Sequence, residues 1–321
     1  MAAGDPTRME ASAPRRAGDM ALPAPYAARA GVRKRRIDLL PYMMVAPALL
    51  AIGAFSLLPT LYGVAVSLYR VEFIELLSFV GLRNYAEVLS DPRFWHSVRV
   101  SCTFTAFSVV LAFLGGFGLA LLANQQTRLR GAFRTIVLLP WVTSYVVTYL
   151  IFRWILNADF GLLNALLVEV LQLPRVQWLG EPALAMASLI TVDVWRASPH
   201  AMVLLLAGLQ AIPQELYEAA AIDGASRART FFAITLPLLR PVILVVLVLL
   251  TIIDFNVVVA MLVLTGGGPG NATEAMSLRM YHDAFTYLQK GPAASIAMIL
   301  FVINLGLSGI YIRVLRTERY S

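Results

Sequence analysis

The sequence predicts an all-α membrane protein with six transmembrane helices. Of its 321 residues, 59% are apolar and only 14% are charged, whereas about a quarter of the residues in an ordinary soluble domain are charged. The apolar residues are gathered into segments near or above the roughly 20 residues that cross a bilayer. Because lipid offers the backbone no hydrogen bonds, each segment must satisfy its own N–H and C=O groups, so helices are expected.

Six such segments follow one another along the chain. They lie at about 39–68, 100–123, 135–156, 183–209, 241–264 and 293–313. The first contains Pro41, Pro47 and Pro59. These residues predict a kink or a late start, because proline lacks the N–H that a helix interior needs.

The chain before the first segment is a basic tail. Residues 1–38 include the run Arg33–Arg36 and have no apolar stretch leading to a cleavage site. We therefore predict a disordered cytoplasmic tail rather than a signal peptide. The first transmembrane helix is expected at 39–70 and the core at 71–321, with a polar loop at 211–240 inside it.

The basic residues predict the orientation. The net charge is +7, and such a balance can indicate nucleic-acid binding, but here the placement indicates an anionic membrane face. Arg and Lys are densest in the tail, in the loop near 128–134, in the loop near 227–240 and after 313. Both termini and the 210–240 loop are therefore predicted to be cytoplasmic.

Small residues and the single cysteine carry weaker signals. Because Cys102 is the only cysteine, the chain can form neither an internal disulfide nor a cysteine-based zinc site. We expect a buried structural thiol. Gly116 and Ala120 stand four apart and permit close helix approach. Packing within the chain and a subunit interface are equally compatible with this spacing.

The polar loop between the fourth and fifth segments predicts a helix-turn-helix at the membrane surface. Leu216–Ile222 can form the first helix, Gly224 is a natural stop, and Ala225–Ile234 can form a second helix that Pro237 ends. Ala219, Ala220 and Ala221 would offer a face with little side-chain bulk. Glu218 and Asp223 would offer charges to a basic partner.

This loop resembles the EAA loop of ATP-binding-cassette (ABC) import permeases. The matching positions are Glu218, Ala219, Ala220, Gly224, Ile234, Leu236 and Pro237. The chain as a whole resembles the carbohydrate (maltose-type) permeases, which implies a type I ABC importer permease fold with the EAA loop at 211–240. The resemblance implies that the loop docks on a cytosolic ATPase. The implied coupling residues are Glu218, Ala219, Ala220, Asp223 and Gly224.

The resemblance also implies an assembly in the bacterial inner (cytoplasmic) membrane. Its expected members are a second permease, with a paralogue favoured, two cytosolic ATPase subunits and a periplasmic solute-binding protein. The expected substrate is a small carbohydrate or a related polyol or glycerol-phosphate compound. Membrane lipid is the other expected contact, and neither nucleic acid nor a cofactor is expected.

Polar residues inside the spans are candidates for a substrate path, because charges there are costly and are usually functional or paired. Asp193 and Arg196 stand three apart and can pair with each other, and Arg153 is expected to snorkel at the end of its span. Pro199 can break its helix in mid-membrane. By resemblance to the maltose permease, the residues facing the solute are Arg196, Ala197, His200, Ile253, Asp254 and Val257.

Two other function classes fit the sequence less well. An ion-gradient-driven secondary transporter could use Asp193 and Asp254 as proton or cation sites, but it has no need for the spacing of residues 218–237. An intramembrane enzyme would need a nucleophile with its base, or a metal set. The sequence has neither, nor a Walker A motif, and His200 has no second ligand at metal spacing. We therefore predict that the chain is not an enzyme and that ATP hydrolysis resides in a partner.

Overall fold

The computed structural model describes residues 39–72, 75–125 and 130–317. Their contacts divide the chain into a unit at 1–51 and a unit at 52–321. The described part of the first unit is helix α1, Leu39–Ile52. It exposes large apolar side chains such as Met44 and Leu50. The predicted tail at 1–38 lies outside the described residues.

The second unit is built almost entirely from helices. They are α2 Leu58–Leu68, α3 Arg83–Ser90, α4 Pro92–Asn124, α5 Arg130–Val142, α6 Tyr145–Ile155, α7 Leu162–Ala165, α8 Pro182–Gln210, α9 Gln214–Ile222, α10 Arg227–Thr230, α11 Leu236–Asn256, α12 Val259–Leu264, α13 Met276–Tyr281 and α14 Lys290–Thr317. Short π-helical turns cover Gly53–Leu57, Leu166–Val170, Phe231–Thr235 and His282–Thr286.

A small hairpin joins α2 to α3. Strands β1, Tyr69–Glu72, and β2, Glu75–Phe79, pair antiparallel with an irregularity between Arg70 and Val71. The amide Nδ2 of buried Asn84 donates to the carbonyls of Ser67 at 2.9 Å and Tyr69 at 3.1 Å. The start of α3 is thereby bound to the end of α2.

In the described chain, five helical stretches are long and apolar enough to cross a membrane. They are Met43–Leu68, Pro92–Asn124, Pro182–Gln210, Arg227–Asn256 and Lys290–Arg313. The pair α5 and α6 makes a sixth if it is counted as one span, and it is bent by 91°. The predicted all-α architecture with six spans is confirmed in this sense. The orientation of the termini stays a prediction.

The third predicted span, at about 135–156, was wrong as a single helix. It is broken between α5 and α6 at Ser144, whose φ of −55° and ψ of 136° lie outside the helical region. Neither glycine nor proline stands at 143–145, and the hydropathy of the segment continues across the break. For this reason the pattern concealed the bend.

Proline residues did not end helices where we predicted. Pro237 lies just after the π-helical turn Phe231–Thr235, and Pro241 lies further along α11. Likewise α8 runs unbroken through Pro199. The fifth span therefore begins earlier than the predicted 241–264. Helix α11 ends at Asn256, before the extended residue Val257.

The centre of the fold is the packing of α4 against α8. A Cβ added to Gly116 would lie 2.5 Å from Cβ of Ala201 and 2.7 Å from the carbonyl oxygen of Ser198. Ala120 is completely buried. Gly116 and Ala120 therefore pack closely against another helix of this chain. Of the two interpretations of their spacing, the structure supports packing within the chain rather than a subunit interface.

The position of Cys102 also differs from our prediction. It lies on α4 and is exposed rather than buried. Its neighbours Ser101, Phe104 and Thr105 are the buried side of that helix. A span that is apolar all round carries no periodicity that separates its lipid face from its protein face, so the thiol could not be placed from sequence.

Candidate functional site

The polar loop folds around helix α9. Pro213, with φ of −58° and ψ of 132°, directly precedes its first residue. At the other end, Gly224 adopts φ of +73°. Its N–H donates to the carbonyl of Ala221 at 3.1 Å, and the N–H of Ala225 donates to that of Ala220 at 2.9 Å. These two bonds form a Schellman motif, so the predicted stop at Gly224 is confirmed together with its cause, a left-handed position that glycine adopts without strain.

The predicted coupling residues do not all face outward. Glu218, Ala219, Asp223 and Gly224 are exposed, whereas Ala220 is only 8% exposed and packs within the chain. Ala219 and Ala221 are exposed on the two sides of the buried Ala220, so the three alanines do not form one low-bulk face. A helix has only one outer face, and three consecutive residues cannot all lie on it.

Sequence reasoning missed one exposed apolar side chain on this loop. Ile222 closes α9 beside Gly224 and is 86% exposed. The sequence could have indicated this exposure, because Ile222 stands between alanines and Asp223 and does not continue an apolar face of its own helix. With Ala219, three positions earlier on the same side of the helix, it gives the loop a small apolar surface suited to a protein partner.

The second part of the loop is shorter than predicted and continuous with the membrane span. Helix α10 is capped by Ser226, whose Oγ accepts from the N–H of Arg229 at 3.3 Å. It passes through the π-helical turn Phe231–Thr235 directly into α11. Tyr217 Oη and Thr235 Oγ1 are hydrogen-bonded at 3.1 Å. Force applied to α9 therefore has a continuous path into α11.

A second candidate site is a polar cluster inside the membrane-spanning region. Nη2 of Arg196 donates to Oδ1 of Asp193 at 3.0 Å, so the predicted pairing of these two residues is confirmed. The hydroxyl of Tyr149, on α6, donates to the same oxygen at 2.9 Å. Asp254, on α11, lies close enough to Arg196 to interact with it electrostatically, and close enough to Asp193 for a hydrogen bond between the two carboxyl groups when one of them holds a proton. Three helices thus contribute to one cluster in which Asp193, Arg196 and Asp254 are 0%, 3% and 2% exposed.

Several atoms of this cluster have no hydrogen-bond partner within the described part of the chain. With both carboxyl groups ionised, they are Oδ2 of Asp193, Nε of Arg196 and both oxygens of Asp254; a proton shared between the two carboxyl groups would pair one oxygen of each. A buried polar group left without a partner costs roughly 1–3 kcal/mol, and more if it is charged. Such groups in a native protein indicate water, an ion or a ligand that completes them.

Aromatic rings line one side of the cluster. The guanidinium of Arg196 lies 3.9 Å from the centre of the Tyr145 ring. One turn further along α8, His200 stacks on Trp141 with ring centres 5.1 Å apart and planes 10° apart. Trp141 and Tyr145 stand on either side of the break at Ser144, so the bend turns both rings toward α8. Sequence reasoning missed Trp141, Tyr145 and Tyr149, because only the fold brings them to α8.

The other predicted path residues are dispersed. Ala197 is buried in the packing between α4 and α8, and Val257 is buried beside Tyr149 and Leu189 in a second apolar cluster. Ile253 is half-buried on α11. Among the six candidates, the structure therefore gathers Arg196, Asp254 and His200 around polar or aromatic groups. Arg153 is exposed, with Nη1 donating to the carbonyl of Val263 at 3.3 Å, in keeping with a snorkelling side chain.

The sequence is similar to those of known membrane-transport proteins. The family described as "Binding-protein-dependent transport system inner membrane component" matches residues 108–317. The trehalose/maltose transport system permease protein MalF of Thermococcus litoralis is 42% identical over 89% of this chain and 97% of its own length. The sulfoquinovosyl glycerol transport system permease protein SmoG of Agrobacterium fabrum is 32% identical over 87% of this chain and 91% of its own.

A solved structure shows the same fold. A chain of a bacterial ABC transporter involved in the import of the acidic polysaccharide alginate superposes with a TM-score of 0.77. The match covers 87% of this chain and 96% of that one, at 22% identity. At this identity the likeness establishes the fold, and the chemistry must be argued from the residues.

Proposed function

Because this chain belongs to the family of binding-protein-dependent transport system inner membrane components, we propose that it forms one half of an import path for a sugar or a related polyol or glycerol-phosphate solute. The other half would be a second permease, a paralogue of this chain. The path would run beside the Asp193, Arg196 and Asp254 cluster.

Family membership fixes the broader role. The chain is a permease subunit of an ABC importer and a multi-pass protein of the inner membrane. It is not itself an enzyme, since the ATPase of such a system is a separate subunit. A partner permease, an ATPase and a solute-binding protein complete the assembly. The ion-gradient-driven alternative receives no support from these relatives.

The observation that carries the coupling proposal is the exposed, backbone-capped helix α9. Its apolar surface, formed by Ala219 and Ile222, lies beside the exposed charges of Glu218 and Asp223. Small side chains allow another protein's backbone to approach closely, and Ile222 can fill a pocket on that partner. We assign this surface to the cytosolic ATPase, with Gly224 keeping the end of α9 in shape.

The substrate-path proposal rests on the unpartnered atoms of the cluster. Polar groups that converge beside aromatic faces are typical of sites for small polar molecules. In this role Arg196 and Asp254 would contact the solute, His200 and Trp141 would form its aromatic wall, and Ile253 would line the path. Ala197 and Val257 would support the surrounding packing.

Reconstitution tests the coupling proposal. The full assembly, with both permeases, the ATPases and the solute-binding protein, would be placed in proteoliposomes and assayed for uptake of labelled maltose, trehalose, glycerol and glycerol 3-phosphate with and without ATP. Ile222→Asn should reduce ATPase co-purification and ATP-driven uptake by about tenfold, the effect of losing one anchor side chain. Membrane insertion should be unchanged.

The matched control is Phe285→Asn, since Phe285 is also strongly exposed and lies on the predicted outer side. This variant should keep its ATPase. The coupling proposal would be overturned if the Ile222→Asn variant co-purified with the ATPase as fully as the parent chain does. It would also be overturned if this chain took up solute without any ATPase.

A further inference from the structure

The charges of the intramembrane cluster bear on which solutes can pass. The cluster contains two carboxyl groups, those of Asp193 and Asp254, and one guanidinium, that of Arg196. The guanidinium already has an anionic partner at 3.0 Å and an aromatic ring at 3.9 Å. With His200 uncharged, the cluster has no net positive charge, whether or not Asp254 is ionised.

The unpartnered atoms favour one kind of ligand. Three are carboxyl oxygens, on Asp193 and Asp254, and one is the Nε–H donor of Arg196. A hydroxyl group can donate to a carboxylate and accept from a guanidinium, so a polyhydroxylated molecule can satisfy all of these atoms. A carboxylate, phosphate or sulfonate group brings mainly acceptors. It would lie against the ionised carboxylate of Asp193, and against that of Asp254 when this group is ionised, where the low dielectric strengthens repulsion between like charges.

We infer that this site admits uncharged polyhydroxylated solutes, such as simple sugars and polyols, and rejects their carboxylated, phosphorylated or sulfonated counterparts. The inference rests on the proposed function, in which the cluster lines the solute path. Family membership alone leaves the choice open, since the relatives' names include both trehalose/maltose and sulfoquinovosyl glycerol. The half-buried ring of Tyr145 and the exposed ring of Trp141 supply the apolar faces that the C–H surfaces of a sugar need.

Matched pairs of solutes test the inference in the full assembly. Each pair differs in one anionic group: maltose and maltobionate, glucose and glucuronate, glycerol and glycerol 3-phosphate. ATP-driven accumulation should favour the neutral member by at least about tenfold, the discrimination expected from one like-charge contact. In Asp254→Asn the anionic-to-neutral ratio should rise by a similar factor. It should stay unchanged in Asp283→Asn, because Asp283 lies outside the membrane-spanning helices.

A binding measurement removes the solute-binding protein's own preference. In the permease–ATPase assembly without that protein, Cys102→Ser combined with His200→Cys places one thiol at the aromatic wall. Neutral solutes should slow its alkylation by a maleimide, and their anionic counterparts should not. The inference would be overturned if anionic solutes slowed the alkylation as much as neutral ones do, or if the assembly accumulated the anionic solutes preferentially. Either result would leave the proposed import function standing. No ATP-driven accumulation of any member would overturn the proposed function and this inference with it.

Discussion

Asp91 and Arg279 form an ion pair across 188 positions of the chain, with Nη2 of Arg279 donating to Oδ2 of Asp91. The other carboxylate oxygen accepts from the N–H of Arg93 at 2.9 Å and caps α4. Burial acts to raise the pKa of the Asp91 carboxyl, but the hydrogen bonds from Arg279 and from the Arg93 backbone outweigh it, so the pKa lies below its ordinary value. One carboxylate therefore both begins a membrane-spanning helix and fastens α13 to it.

Asp91→Asn should separate these two roles. Because the pKa of Asp91 is lower in the folded chain, its contribution to stability is present above the unfolded value of 3.8 and is lost as pH falls through the folded value. Asparagine caps a helix as well as aspartate does, so the variant loses only the ion pair. After allowance for partial exposure to water, we expect a loss of about 0.5–1 kcal/mol at pH 7. Thermal unfolding in detergent should show this loss at pH 7 and a smaller one below pH 3.8; equal stability at pH 7 would contradict it.

Asp283→Asn should behave in the opposite way, although Asp283 also faces Arg279, at 3.6 Å. Burial raises the pKa of the Asp283 carboxyl, and the attraction of Arg279 only partly offsets it. A raised folded pKa means that the stability linked to this group is present below the unfolded value of 3.8 and is lost as pH rises through the folded value. The amide variant should therefore be at least as stable as the parent at pH 7. A clear loss of thermal stability at pH 7 would show that the pairing with Arg279 dominates.

Gly116→Ala should loosen the packing of α4 against α8. The new methyl group would meet backbone as well as side-chain atoms of α8 at less than 3 Å. Such overpacking costs about 1–3 kcal/mol. Gly118→Ala is the matched control, because an added Cβ there finds nothing within 4 Å. Thermal unfolding should separate the two variants, and a Gly116→Ala protein as stable as Gly118→Ala would contradict this packing.

Tyr149→Phe should weaken the buried cluster. It removes the hydroxyl that donates to Oδ1 of Asp193 and leaves that oxygen with Arg196 alone. Loss of a buried hydrogen bond to a charged group costs about 1.5–3 kcal/mol. Tyr62→Phe, at a side chain that is 54% exposed on α2, should be silent. Equal unfolding temperatures for the two variants would contradict the bond.

Features that depend on neighbouring residues could be predicted from the sequence. The stop at Gly224 follows from one left-handed position, and the Asp193–Arg196 pair follows from helical spacing. The presence of the membrane spans follows from hydropathy, although the bend at Ser144 and the start of the fifth span do not. In each case the determining residues lie within one local segment, so no knowledge of the tertiary packing was needed.

Features that depend on the fold could not be predicted. Tyr149 reaches Asp193 from 44 positions away. The outward face of α9 was misjudged at Ala220, because that face depends on how the loop lies against the rest of the chain. The exposed Cys102 was misjudged for a similar reason, since lipid and protein interior are equally apolar surroundings for an α4 side chain.

The corner at Ser144 limits what can surround this protein. Helices of 13 and 11 residues rise only about 20 and 17 Å at 1.5 Å per residue, so neither α5 nor α6 alone traverses a hydrocarbon layer of about 30 Å. If α5 and α6 together form one span, their junction lies within the hydrocarbon layer, and the first N–H groups of α6 have no acceptor within their own helix. Acyl chains cannot hydrogen-bond to those amides. In a single copy of the chain surrounded by lipid, these N–H groups would therefore lack hydrogen-bond acceptors. In the assembled transporter the corner must face another subunit or water.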